Sequence, residues 1–311
     1  MSSTLSQLLP VLVLIALGAG LGRAGFFGTG VIEGFKRLIA SVTLPVLLFT
    51  AFSRLRIEGS LFALAAIVFA SCALMGLAGI AFSRAFRLPR PATGLLFQGF
   101  EAGMLGYALF ASFYGVSRVP AFATADLGQV VYVFTVLMAQ LMAGEAGARI
   151  RPGVLARNFA SSPVIIAIVA GLAASALVPE SRSLPWAADG FLDATLSLIG
   201  SLTSPLVCLV VGFGLREGVR GAGSCLTTVL LRMAAAGALG AVIAFMVIPA
   251  LGLGRNYSLA AMVLFLLPPP FVIPVFRTKE GDAAYISGTL SIHTVFSLAA
   301  IVVFTAVLGG L

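Results

Sequence analysis

Apolar stretches of about 18–25 residues follow one another along the whole chain, each long enough to cross the roughly 30 Å of a bilayer's hydrocarbon. They read as ten spans, near 5–21, 32–53, 60–83, 91–115, 120–143, 159–178, 191–214, 224–250, 256–276 and 283–309. Only 10% of the 311 residues are charged and 60% are hydrophobic, where a soluble domain carries about 25% charge. The apolar runs are continuous rather than alternating. That pattern excludes a transmembrane barrel and leaves an all-α polytopic membrane protein. The first span has no basic residue ahead of Arg23, so it reads as a span and not as a signal peptide.

The net charge of +8 is a topology signal. Arg23, Lys36, Arg37, Arg84, Arg87, Arg90, Arg149, Arg151, Arg157, Arg216, Arg220, Arg277 and Lys279 follow the odd-numbered spans. Arg54, Arg56, Arg118, Arg182 and Arg255 lie in loops on the other side, and Arg232 falls inside span 8. By the positive-inside bias the odd loops are cytoplasmic and both termini face outward. No basic-aromatic module accompanies the charge, so no nucleic-acid partner is expected; the bilayer is the expected surround. Cys72, Cys208 and Cys225 sit in or beside apolar spans without metal-ligand spacing. They read as packing residues, and no metal or cofactor is expected.

The two halves, 1–150 and 151–311, resemble each other. Span 2 contains Ser41, Thr43 and Pro45 and span 7 contains Ser201, Thr203 and Pro205, both as S-x-T-x-P at an offset of 160. Basic-acidic stops follow, at Arg56 to Gly59 and at Arg216 to Gly218; Gly128 and Gly288 are also 160 apart. Spans 1 and 6 both open on a proline, Pro10 and Pro163. Five spans per half is an odd number, so the halves insert with opposite orientation. This inverted-repeat plan is common among secondary transporters.

Interrupted helices at matching places in two repeats point to a binding site. Span 4 carries Gly99, Gly103 and Gly106 around Glu101; span 9 carries Pro268, Pro269 and Pro270. Three prolines in a row remove three backbone donors, so no continuous helix passes. The breaks are expected near 99–106 and 268–270, close together near the midplane, with freed carbonyls and amides available to a solute or ion. A carboxylate at a helix centre costs roughly 2.5–3.5 kcal/mol to insert. Glu101 therefore reads as functional, against the alternative of a structural hydrogen bond to a neighbouring span. Neutral, it can carry a proton; ionised, it attracts a cation and repels a carboxylate.

The segments ALGAGLGRAGFF at 16–27 and RLIASVTLPVLLF at 37–49 resemble the opening of auxin efflux carrier (AEC) family permeases, with similar stretches at 97–136 and 261–298. The family includes PIN-type auxin carriers and bacterial permeases of organic acids. The resemblance implies a fold like that of the NhaA antiporter and bile-acid symporters, with crossing discontinuous helices 4 and 9. It implies a scaffold of spans 1, 2, 6 and 7 (about 5–53 and 159–214), able to form a homodimer, beside a mobile transport domain (about 60–143 and 224–309). It also implies a bacterial inner-membrane location and elevator-type transport of a small organic acid anion. Departures fall at the crossover. Glu101 stands where the family pattern has Asn, Ala108 where a proline commonly stands, and Phe271, Val272 and Ile273 where small polar residues are usual.

Other polar residues within spans are weaker candidates. Asp126 and Gln129 share a face early in span 5, unless Asp126 lies at the outer surface. His293, the only histidine, is a core residue or a pH-sensitive partner of Glu101. Arg232 reads as snorkelling, with charge balance for Glu101 or an anion as the alternative. Thr43 and Thr203 offer hydroxyls to a pathway or bond back within their own helices. No phosphate-binding loop and no hydrolase or metalloprotease motif is present, so neither an ATP-driven pump nor an enzyme is expected. The leading reading is a secondary transporter of an organic anion, possible coupling being to H+, with Na+ open. The alternatives are a carrier of a cation or amine, a cation/proton antiporter, and a solute sensor on a transporter fold.

Overall fold

The computed structural model describes residues 2–53, 59–141, 153, 157, 160–177, 190–214, 222–276 and 280–308. Arg54, Arg56, Arg149, Arg151, Arg182, Arg216, Arg220, Arg277 and Lys279, and with them both basic-acidic stops, lie outside the described residues. Every regular element among the described residues is helical. Among the described residues five helices are long and apolar enough to cross a membrane: Gly59–Ala85, Val116–Leu141, Phe191–Val210, Gly223–Ala250 and Tyr285–Val307. Val13–Arg23 and Pro163–Ala176 are shorter apolar helices. Large side chains on these helices point away from the protein; Phe62, Leu77, Leu198 and Phe191 are 63–83% exposed. Such surfaces suit lipid. The chain is an integral membrane protein.

The chain forms two compact units. The first comprises residues 1–59, 103–123 and 158–216. Its helices are α1 (Ser2–Arg23), α2 (Thr29–Leu38), α3 (Leu44–Ser53), α6 (Tyr107–Tyr114), α8 (Pro163–Leu177), α9 (Phe191–Ser201) and α10 (Thr203–Gly214). Helices α1 and α10 meet backbone to backbone. A Cβ on Gly18 would lie 2.4 Å from the Leu209 carbonyl oxygen, and one on Gly212 would lie 2.0 Å from that of Ile15. Helix α8 packs on α3 with Gly171 against the Phe49 carbonyl. The two S-x-T-x-P segments both interrupt helices here. Pro45 follows a π-helical turn at Ile39–Thr43. Pro205 lies in the first turn of α10, where its missing N–H costs nothing.

The second unit comprises residues 60–102, 124–157 and 217–311. It holds α4 (Gly59–Ala85), α5 (Ala92–Phe97), most of α7 (Val119–Tyr132), α11 (Ala222–Val242), α12 (Ile248–Ala250), α13 (Arg255–Leu266), α14 (Ile273–Phe276) and α15 (Glu280–Leu308). Helices α4 and α7 touch through Gly128, whose added Cβ would fall 1.8 Å from the Ala65 carbonyl oxygen. Gly240 of α11 receives the Phe265 side chain of α13 in the same way. The expected spans 4 and 9 are each divided. The first break runs over 98–101, and the chain then resumes as a π-helical turn at Ala102–Gly106. It therefore starts earlier and ends sooner than the expected 99–106. Gly103 and Gly106 belong to the resumed helix. The second break runs over 267–272 and contains Pro268, Pro269, Pro270 and Phe271.

Candidate functional site

The first break is made by one glycine. Gln98 ends α5 in an extended conformation, and Gly99 has φ +68°. An L side chain rarely adopts that region. A Cβ at Gly99 would also meet Val133 at 2.7 Å, Pro270 at 3.0 Å and Gln129 at 3.1 Å. The second break is made by the prolines, whose rings forbid the helical ladder.

The two breaks bond to each other. The Glu101 N–H donates to the Pro268 carbonyl at 2.8 Å, and the Phe271 N–H donates to the Glu101 carboxylate. Glu101 is 7% exposed. The alternative read from sequence, a hydrogen bond to a neighbouring span, describes this contact, and that span is the other broken one.

Arg232 joins the same place from α11, and it does not snorkel, being 0% exposed. Its Nη2 donates to the Gly99 carbonyl at 2.6 Å and its Nη1 to the Leu267 carbonyl at 2.9 Å. These carbonyls belong to the ends of α5 and α13, which the breaks leave without helical partners. A cation at two helix C-termini is favourably placed. The guanidinium also lies 5.2 Å from the centre of the Phe100 ring, which packs on Phe265. Sequence position alone misplaced Arg232, because depth along a helix does not say which way a side chain points.

His293 lies against Arg232, its Nε2 3.1 Å from Nη1, and its Nδ1 is 2.9 Å from the Ser297 hydroxyl. A guanidinium only donates. Nε2 must therefore accept, which puts the imidazole proton on Nδ1, donated to Ser297. His293 is thus a buried, hydrogen-bonded core residue, one of the two readings from sequence, and its partner is Arg232 where the other reading had Glu101.

Asp126 is 1% exposed, which removes the outer-surface reading. It accepts from Gln129 at 2.8 Å, and the Gln129 carbonyl oxygen receives the Phe100 N–H at 3.4 Å. Asp126, Gln129, Glu101, Pro268, Pro270, Phe271 and His293 are thereby drawn to the two breaks. Thr43, Pro45, Thr203 and Pro205 belong to the first unit. Both threonine hydroxyls are buried, with no hydrogen-bond partner among the described residues, so neither bonds back within its helix.

Gln98, not singled out from sequence, anchors a second network. Its Oε1 accepts from Tyr132 at 2.8 Å and from Gln140 at 3.1 Å; its Nε2 donates to Gln140 at 2.9 Å and to the Gly94 carbonyl at 3.1 Å. This reciprocal amide pair borders a cleft of about 210 Å³ lined also by Ile80, Ser83, Arg90, Pro91, Gly94 and Leu95. The available signal was a glutamine inside an apolar run one residue before a glycine.

Among curated proteins none matches the chain. The family model described as membrane transport protein matches residues 3–149, a stretch that includes the glycine-made break, Glu101, Asp126 and the Gln98 network. Together with the apolar spans and the opening motifs, this match over the first half of the chain supports a membrane transport protein, an auxin efflux carrier (AEC) family permease.

Proposed function

We propose that the chain is a secondary active transporter of a small organic acid anion, working by elevator-type alternating access with proton coupling through Glu101. The observation that carries this reading is the bonded pair of breaks, which holds a carboxylate and a guanidinium together inside an apolar unit. Buried ionisable groups of this kind default to solute or ion pathways. Arg232 fixed at the breaks and Arg90 at the cleft favour an anion. The breaks act as the crossover of an inverted repeat of ten spans. In this reading residues at about 5–53 and 159–214 are the scaffold, a homodimer contact included, and those at about 60–143 and 224–309 move. The protein sits in a bacterial inner membrane with both termini outside. A cation or amine carrier is the second reading, favoured by the carboxylate of Glu101 in the break.

The test is uptake into proteoliposomes across a panel of mono- and dicarboxylates and amines, at several pH values, with wild type and Glu101→Gln. The expected result is carboxylate uptake driven by an inward proton gradient, lost in Glu101→Gln. Wild-type rate and unchanged pH dependence in Glu101→Gln would sink the coupling role of Glu101. Saturable binding without flux would turn the reading to a sensor.

A further inference from the structure

Helix α15 carries Tyr285, Thr289, His293 and Ser297 at steps of four, one face of the helix repeated four times. Tyr285 is 8% exposed and the other three are at most 1% exposed. The near end of this stripe is bonded to two other helices. The Tyr285 phenol is 2.8 Å from the Thr93 hydroxyl of α5 and within hydrogen-bond reach of Thr228 on α11. These contacts gather near the starts of α5, α11 and α15, which in sequence follow the basic residues Arg90, Arg220 and Lys279. The far end is His293 against Arg232, four residues beyond Thr228 on α11, and Arg232 holds the carbonyls of both breaks. Past Ser297 the next position on the stripe is Ile301, so the polar face stops.

Two polar atoms on this line are unsatisfied. The Thr289 hydroxyl lies near the Tyr285 phenol but has no partner in hydrogen-bond geometry among the described residues. The Arg232 Nε is likewise buried without a partner. Buried polar groups left bare in this way are where ordered water sits. His293 and Ser297 bond directly across one such step. Between Thr289 and His293, whose backbones are about 6 Å apart along the axis, no direct hydrogen bond forms, and one bridging water would join them.

We propose that this stripe is a one-sided, water-filled proton path from the basic-loop end of the second unit to His293. It rests on the proton-coupled reading above and adds the route by which the proton reaches the breaks. With the ring proton on Nδ1, the lone pair on the imidazole that can take an arriving proton is that of His293 Nε2. Taking it breaks the hydrogen bond from Arg232 Nη1, because both atoms then carry hydrogen. Loading the path thus loosens the guanidinium that ties the two breaks, and releasing the proton restores it. The titratable groups around the path are Arg232 and Cys225 of α11, Cys72 of α4, Asp126 of α7, Glu101 in the first break, and Tyr285 and Asp282 on α15 itself. Helices α5 and α14 carry no titratable residue, and those of α13 are confined to its first turn, at Arg255 and Tyr257.

The single histidine makes the test specific. The full-length protein, carrying an affinity tag free of histidine and 15N-labelled at histidine, is placed in lipid nanodiscs. NMR then reads the imidazole tautomer and the exchange of its N–H with bulk water. The expected result is an Nδ1–H tautomer whose proton exchanges about tenfold faster in wild type than in Thr289→Val, with Thr289→Ser restoring the wild-type rate. Equal exchange in wild type and Thr289→Val would overturn the path, as would wild-type exchange over hours. This readout needs no substrate. A failure of carboxylate uptake would therefore sink the transport reading alone, and a failure of exchange would sink the path alone.

Discussion

The two breaks reach the same end by different chemistry. The first depends on one residue, Gly99, whose φ of +68° and crowded surroundings admit no side chain. The second depends on three adjacent prolines. The glycine break also carries polar side chains, Gln98 and Glu101. The proline break presents backbone: the carbonyls of Leu267 and Pro268 and the N–H of Phe271. A break made by one glycine leaves its neighbours free to be polar. A break made by prolines spends its positions on forbidding the helix and offers its freed main chain.

This contrast can be broken most severely at the residue that serves both sides. Arg232→Ala leaves two buried carbonyls and His293 without their donor. We expect a loss of about 3–5 kcal/mol, read as thermal unfolding in detergent, with Arg232→Lys recovering only part of it. Gly99→Ala comes next. It forces a side chain into a left-handed backbone and against Val133, at a cost of about 2 kcal/mol or more. Glu101→Ala leaves the Phe271 N–H unanswered and is expected to cost about 1–3 kcal/mol, while Glu101→Gln, which keeps an acceptor, costs less. Pro269→Ala is the smallest. Two prolines still bar the helix, so only the added freedom of the unfolded chain counts, about 0.5–1 kcal/mol. If Pro269→Ala were as damaging as Gly99→Ala, the second break would not be redundant.

What could be read from sequence follows from the same contrast. Prolines and an acid in an apolar run announce themselves by residue type, and Glu101, Pro268, Pro269 and Pro270 were placed without coordinates. The limits of the first break were not, because three glycines within eight positions look alike until φ is known. Gly103 and Gly106 turned out to lie in a π-helical turn. Arg232 reads as snorkelling from sequence because two of its partners are main-chain carbonyls, which have no sequence signature. The stripe on α15 was visible in principle as a polar residue every fourth position, but each member alone looks like an ordinary hydroxyl in a membrane helix.

The glycines that seat α1 against α10 have a mechanical consequence. At Gly18 and Gly212 one main chain rests in a notch of the other, with no side chain between them to bend. A soft contact gives under load; this one is a keyway. Axial slip by one residue would drive a methyl group or larger into a peptide bond, so a push on either helix moves the pair together.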